Sequence, residues 1–216
     1  MDEAQDRPHA LWGRAAAGYD RAMGPLERGW IGRYRAQLIG QAEGRVIEAG
    51  IGTGANLRHY PASVELTGVD ASPEMLARAV DRAAALGRTA DLRVGDADAL
   101  PCEDRGADTV VATLLLCSVP AVDQTLAEFA RVLRPGGRLL LLDHVVSSWA
   151  GLRALQGLAD RVTASTGERW RRRPLDRLPE AGFEIESVTA GRARLIEAVV
   201  ARRAIPGHDE GPSARS

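Results

Sequence analysis

The spacing of hydrophobic positions changes twice along this chain. Between Leu26 and Ile39 the apolar residues Leu26, Trp30, Ile31, Tyr34, Leu38 and Ile39 gather on one side of a helical projection, with Glu27, Arg28, Arg33 and Arg35 on the others. That pattern predicts an amphipathic helix over roughly 26 to 43, preceded by a helical stretch from about His9 to Met23. From residue 45 short apolar runs alternate with helical patterns. Strands are predicted at Arg45 to Ala49, Val64 to Asp70, Asp91 to Gly95, Asp108 to Leu116 and Arg138 to Val145. The clearest helices between them are Pro73 to Leu86 and Val122 to Leu133. Ser72 offers an N-cap with Pro73 at the first helical position, and Pro135-Gly136-Gly137 stops the second helix. Such alternation means βαβ units, hence an α/β fold with a parallel sheet and helices on both faces.

The last part has a different rhythm. Residues 146 to 174 read as irregular or helical, and Leu175 to Ala181 as a short helix closed by Gly182. Two strands follow, Phe183 to Thr189 and Leu195 to Arg203, joined by a link too short for a crossover helix. They should therefore pair antiparallel. The expected organisation is an N-terminal helical lid (1 to 44), one main domain (45 to 203) and a disordered polar tail (204 to 216).

Composition narrows the function. At 216 residues, 45% hydrophobic and 26% charged, the chain suits a single globular domain that buries roughly 70% of its unfolded surface. A formal net charge of −1 offers nothing global to attract nucleic acid or an anionic membrane. All 28 basic residues are arginine, which excludes Schiff-base and P-loop lysine mechanisms. Cys102 and Cys117 make neither a CxxC motif nor a disulfide framework. No apolar run is long enough to span a bilayer, and the acidic N-terminus lacks a secretory pattern, so a cytoplasmic location is expected.

The candidate chemistry begins at Glu48-Ala49-Gly50-Ile51-Gly52-Thr53-Gly54, directly after the first strand and before a helical stretch. Glycines there let the backbone turn tightly and approach a ligand. Asp70 closes the second strand, 22 residues beyond Glu48, where a carboxylate can accept both hydroxyls of a ribose. Gly50-x-Gly52-x-x-Ala55 also satisfies a dinucleotide fingerprint, so the glycines alone do not exclude NAD. Three features count against it. Glu48 sits badly beside a pyrophosphate but suits a cationic amino-acid ligand, Gly95-Asp96-Ala97 can meet an adenine amino group, and the terminal strand pair is not all-parallel.

These residues resemble the class I S-adenosylmethionine-dependent methyltransferases, and most narrowly the menaquinone/ubiquinone-methyltransferase-like (methyltransferase type 11) group. The resemblance runs over about residues 12 to 203. It rests on Ala16-Ala17-Gly18-Tyr19-Asp20, Glu48 to Gly54, Thr67 to Leu76, Gly95-Asp96-Ala97 and Arg131-Val132-Leu133-Arg134-Pro135-Gly136-Gly137. It implies a Rossmann-like, seven-stranded, mostly parallel sheet with an antiparallel C-terminal pair. It also implies S-adenosylmethionine as cofactor and S-adenosylhomocysteine as product. Gly50, Gly52 and Gly54 would line the methionine part with Glu48 nearby, and Asp70 would hold the ribose. Ala71 and Met75 would pack on the adenine, Asp96 and Ala97 would read its edge, Leu114 would offer its carbonyl to the amino group, and Tyr19 would close the site.

Methyl transfer from a sulfonium needs alignment and desolvation, and a base only where the acceptor arrives protonated. His144 is the expected base, with Asp143 beside it. Cys117, Trp30 and Arg172 are the candidates for contact with the acceptor. Thr113-Leu114-Leu115-Leu116-Cys117-Ser118-Val119 and Asp143-His144-Val145 resemble alkyl-thiol methyltransferases. Pro25 to Arg28 and Asn56-Leu57-x-x-Tyr60-Pro61 resemble their bacterial relatives. A small thiol acceptor is thus expected. The alternative is N-methylation of an amine or phospholipid, with Arg169 to Arg173 meeting an anionic group and the helix over 26 to 43 touching a lipid surface. An NAD-dependent oxidoreductase and a non-catalytic cofactor-binding protein are the competing classes. No metal and no nucleic-acid partner are expected, and the chain would be a monomer or homodimer.

Overall fold

The structure, a computed structural model, describes residues 16–144, 174–191 and 196–205, without the side chains of Trp30, His144 and Pro174. Arg172 and the rest of the 169–173 arginine run, most of the 146–174 stretch, and the tail from 206 lie outside the described residues. One helical segment opens the described chain: α1 (16–26), a π-helical turn over Glu27–Ile31, and α2 (Gly32–Ile39). Then follow β1 (Arg45–Ala49), β2 (Glu65–Asp70), α3 (Pro73–Ala85), β3 (Asp91–Val94), β4 (Ala107–Thr113), α4 (Val122–Val132), β5 (Leu133–His144), β6 (Phe183–Ala190) and β7 (Ile196–Arg203).

Seven strands form one sheet in the order β3-β2-β1-β4-β5-β7-β6. β1 to β5 pair in parallel, while β7 runs antiparallel to both β5 and β6. The mostly parallel α/β sheet with its antiparallel C-terminal pair is therefore the fold. Strand composition follows from burial on both faces, which removes the polar alternation of a half-exposed strand. Leu139, Leu140, Leu141 and Leu142 are consecutive and all buried. Leu139 and Leu141 join Ile47, Val110 and Phe129 in the core under α4, whereas Leu140 and Leu142 join Val46, Val111, Ile39 and Leu76 in the core under α2 and α3. Each such side chain contributes about 1.5–3 kcal/mol of burial.

Four local features depart from the sequence reading. The two N-terminal helices are one, running through Pro25 and a π turn over Glu27–Ile31 that carries one extra residue. The Gly32 N–H bonds the Glu27 carbonyl, and a Cβ at Gly32 would stand 2.4 Å from that oxygen, so the turn requires glycine. The stretch after Gly54 is a run of turns instead of a regular helix, with i→i+3 bonds from Leu57 N–H to Gly54 O and from His59 N–H to Asn56 O. β5 begins at Leu133, with Arg134 to Gly137 taken up in a register shift before pairing resumes at Arg138. The short helix before Gly182 is a 3₁₀ turn over Pro174–Arg177.

Candidate active site

The sheet order reverses at β1 and β4: β2 and β3 lie on one side of β1, β4 and β5 on the other. A crevice opens outside the carboxyl ends of strands at such a point. Backbone hydrogen bonds fix its rim. Gly50 N–H and Ile51 N–H both donate to Val69 O (2.8 and 3.1 Å), Gly95 N–H to Asp70 O (3.1 Å) and Leu114 N–H to Leu142 O (2.7 Å). Gly50, Gly52 and Gly54 have φ of +67°, +55° and +78°, the left-handed region where glycine is favoured. Leu114 adopts φ of +55° without being glycine, a backbone held off its preferred state at the end of β4.

Two clefts meet at this rim. The first runs from Gly50 and Gly52 past Asp70, Ala71 and Met75 to Asp96 and Ala97, with Leu114 and Tyr19 across from them. A Cβ on Gly52 would meet open space, consistent with a backbone facing a ligand. Asp70 is oriented by its own loop, accepting from Gly52 N–H (2.8 Å) and Ser72 N–H (2.9 Å). Gly54 lines neither cleft; its Cβ would fall 2.6 Å from Leu57 and 3.3 Å from the backbone of Ala79, so this glycine lets the loop pack on α3. Cys117 is buried and lines neither cleft. Its N–H donates to the Asp143 carboxylate (3.2 Å) and its thiol to Leu114 O (3.6 Å), so Asp143 supports the turn after β4. His144 pairs through its backbone with Ile196.

The second cleft adjoins the first at Gly50, Gly52, Tyr19 and Thr113 and is far more polar. Glu48 lies there with Glu27, Arg28, Arg35, Arg58, His59 and Arg82. Both carboxylate oxygens of Glu48 are engaged: Asn56 Nδ2 donates to one (2.7 Å) and the Tyr60 hydroxyl to the other (2.8 Å). Burial pushes the Glu48 carboxyl up from its ordinary 4.5 to about 7, against the pull of these two donors and of Arg35. Arg35 is itself buried, correcting its expected place on the solvent side of the helix. It donates to Glu27 (2.6 and 3.1 Å), Asn56 Oδ1 (2.6 Å) and Thr113 Oγ1 (2.9 Å). Burial, then Arg35 and Arg58, hold the imidazole of His59 below its usual range and favour its neutral form.

The N-terminal helix is tied to the glycine loop by a second set of contacts. Thr53 Oγ1 donates to Asp20 (2.7 Å), and Arg82 from α3 donates to Asp20 and to Thr53 (2.5 and 3.3 Å). This brings Tyr19 over both clefts. Arg35 and Arg82 escaped the sequence reading as site residues because nothing in linear order links them to the glycine loop. Thr53, Asn56, Tyr60 and Asp20 stood only inside motif strings.

Residues 47–141 match a family described as a methyltransferase domain. A phosphatidylethanolamine N-methyltransferase of Cereibacter sphaeroides is 34% identical over 190 residues, 87% of this chain and 86% of its own length. This chain is a class I S-adenosylmethionine-dependent methyltransferase. Human thiol S-methyltransferase TMT1B is 37% identical to the methyltransferase over 117 residues, 50% of this chain and 48% of its own. The fold also matches a methyltransferase structure from Thermotoga maritima described as a possible histamine N-methyltransferase. It has a TM-score of 0.70 and 20% identity, covering 91% of this chain and 99% of the other. At that identity the match speaks for the fold alone. Among the described residues no helix is long and apolar enough to cross a membrane, and no cluster of His, Cys, Asp or Glu could hold a metal.

Proposed function

We propose that this methyltransferase acts on the amine of a phospholipid of the phosphatidylethanolamine kind. The observation that carries the reading is the extent of likeness: the phospholipid N-methyltransferase aligns along nearly the whole chain, whereas the thiol enzyme aligns along half of it. Arg28 and Arg58, which line the second cleft beside the glycine loop, supply the positive charge that a phosphate-bearing acceptor calls for.

S-adenosylmethionine, when bound, supplies an electrophilic methyl group on a sulfonium. Around it, Asp70 would accept the ribose hydroxyls, Ala71 and Met75 would pack on the adenine, and Asp96 and Ala97 would meet its edge. Gly50 and Gly52 would admit the methionine part, with Glu48 and the Leu114 carbonyl facing its ammonium and Tyr19 excluding water. The acceptor arrives as an ammonium, so a base must take its proton first. His144, at the carboxyl end of β5, is the proposed base, and the neutral His59 in the second cleft is its competitor. His144→Ala should lower turnover at least tenfold with unchanged S-adenosylhomocysteine affinity; full activity at neutral pH would transfer the role away from it.

The test is S-adenosylhomocysteine release from S-adenosylmethionine with phosphatidylethanolamine vesicles, compared with a panel of small thiols. Turnover on vesicles is expected. Turnover on thiols alone would overturn it in favour of the second reading, S-methylation, which the Thr113 to Val119 stretch and the thiol relatives support.

A further inference from the structure

The second cleft contains a buried chain of polar groups that no motif accounts for. Glu27 in the π turn accepts from Nε and Nη2 of Arg35, whose Nη1 donates to Asn56 and Thr113, and Asn56 in turn donates to Glu48. Arg35 and Asn56 are 4% and 0% exposed, and Glu48 is 1% exposed. Three separate pieces of the fold thus converge on one carboxylate: α2, the turns after β1, and the end of β4. An arginine buried this deeply is costly unless its charge does electrostatic work or is fully paired.

We infer that Arg35 is a positioning residue that favours the ionised form of Glu48 where that carboxylate lines the second cleft, so that a cationic ligand amine reaching past Gly50 and Gly52 finds a fixed anion there. The inference rests on the proposed cofactor reading, in which that amine belongs to the methionine part. The groups facing Glu48 are few. Tyr60 and Asn56 donate to it, Arg35 attracts its charge from α2, and Asp70 from the end of β2 repels it. Behind them, Glu27 offsets part of the charge of Arg35, and Arg88 holds the Tyr60 carbonyl (2.6 Å). Burial alone would leave Glu48 protonated at neutral pH. A neutral carboxyl attracts an ammonium far less, so ligand affinity becomes linked to the proton on Glu48.

The test is S-adenosylhomocysteine binding to the full chain by calorimetry between pH 6 and 8.5, for wild type, Arg35→Gln, Glu27→Gln and Glu48→Gln. Wild-type affinity should rise through neutral pH. Arg35→Gln should move that midpoint up by a pH unit or more, so affinity falls about tenfold at pH 7 but largely recovers at pH 8.5. Glu27→Gln releases the arginine charge toward Glu48 and should move the midpoint down. Glu48→Gln should give a flat, weak profile. A loss in Arg35→Gln that is equal at every pH marks a merely structural arginine and overturns the inference. If that variant does not fold, an unmoved midpoint in Glu27→Gln overturns it as well. No binding by wild type at any pH would instead sink the cofactor reading itself.

Discussion

A buried carboxyl that titrates near neutrality is costly to keep, and Glu48 is such a group. In the unfolded chain it ionises at its ordinary 4.5, and in the fold at about 7, so the native state holds a proton that the unfolded state has lost. The sign follows: its contribution is present in full below about 4.5 and is lost as pH rises through 7. The span amounts to roughly 3 kcal/mol. Glu48→Gln should therefore stabilise the ligand-free protein at pH 8 by up to that amount, with little gain at pH 4.5, since an amide can still accept from Asn56 and donate to Tyr60. Urea unfolding at the two pH values reads this; parallel losses in variant and wild type would refute it. Asp70 poses the converse case, because its oxygens already hold the N–H groups of Gly52 and Ser72. Asp70→Ala should weaken S-adenosylhomocysteine binding by about 1–3 kcal/mol, the cost of stranded hydrogen-bond partners. Unchanged affinity by calorimetry would mean the ribose lies elsewhere.

Among the elements, the glycine loop separates strain from space. A Cβ at Gly52 has open surroundings, whereas one at Gly54 meets Leu57 at 2.6 Å. Both positions have positive φ, so alanine costs about 1–2 kcal/mol of backbone strain at each. Gly54→Ala adds a clash with Leu57 and α3 and should lower stability more than Gly52→Ala does. Gly52→Ala should instead show the larger loss of cofactor affinity, since its Cβ enters the ligand's space. Thermal unfolding beside calorimetry distinguishes them, and the reverse ranking would exclude Gly52 from the contact surface. The strands and α3 were readable because apolar runs, Ser72 and Pro73 are local signals. The π turn was not, because periodicity assumes 3.6 residues per turn and the bond from Gly32 N–H to Glu27 O, five residues back, shifts that count by one. The run of turns after Gly54 hid for a related reason: Asn56 spends its side chain on Glu48, Arg35 and the β4 end, and the backbone follows that anchor.

At the scale of the whole molecule, reversal of strand order puts Gly50, Asp70, Asp96 and Leu114 from four strand ends onto one crevice. A ligand bound there to the folded chain alone must raise its stability by mass action. S-adenosylhomocysteine at about 100 times its Kd should add about 2.7 kcal/mol, raising Tm by roughly 5–10 °C for a domain of this size. NADH should produce no shift. A shift with NADH and none with S-adenosylhomocysteine would reverse the assignment of the crevice.

The local order of apolar runs, caps and turn glycines was enough to determine the βαβ alternation and the antiparallel terminal pair, because strands, helices and short links are each signalled by neighbours within a few residues. Arg35 is the opposite case. Its i±3 and i±4 neighbours, Ile31, Gly32, Leu38 and Ile39, place it on the apolar side of its helix, yet the partners that let a charge be buried there lie 21 residues away at Asn56 and 78 residues away at Thr113. Its burial, the charge of Glu48 and the polar second cleft arise only when α2 closes over the ends of β1 and β4. Desolvation is a property of everything packed around a group, so only the tertiary structure could decide it.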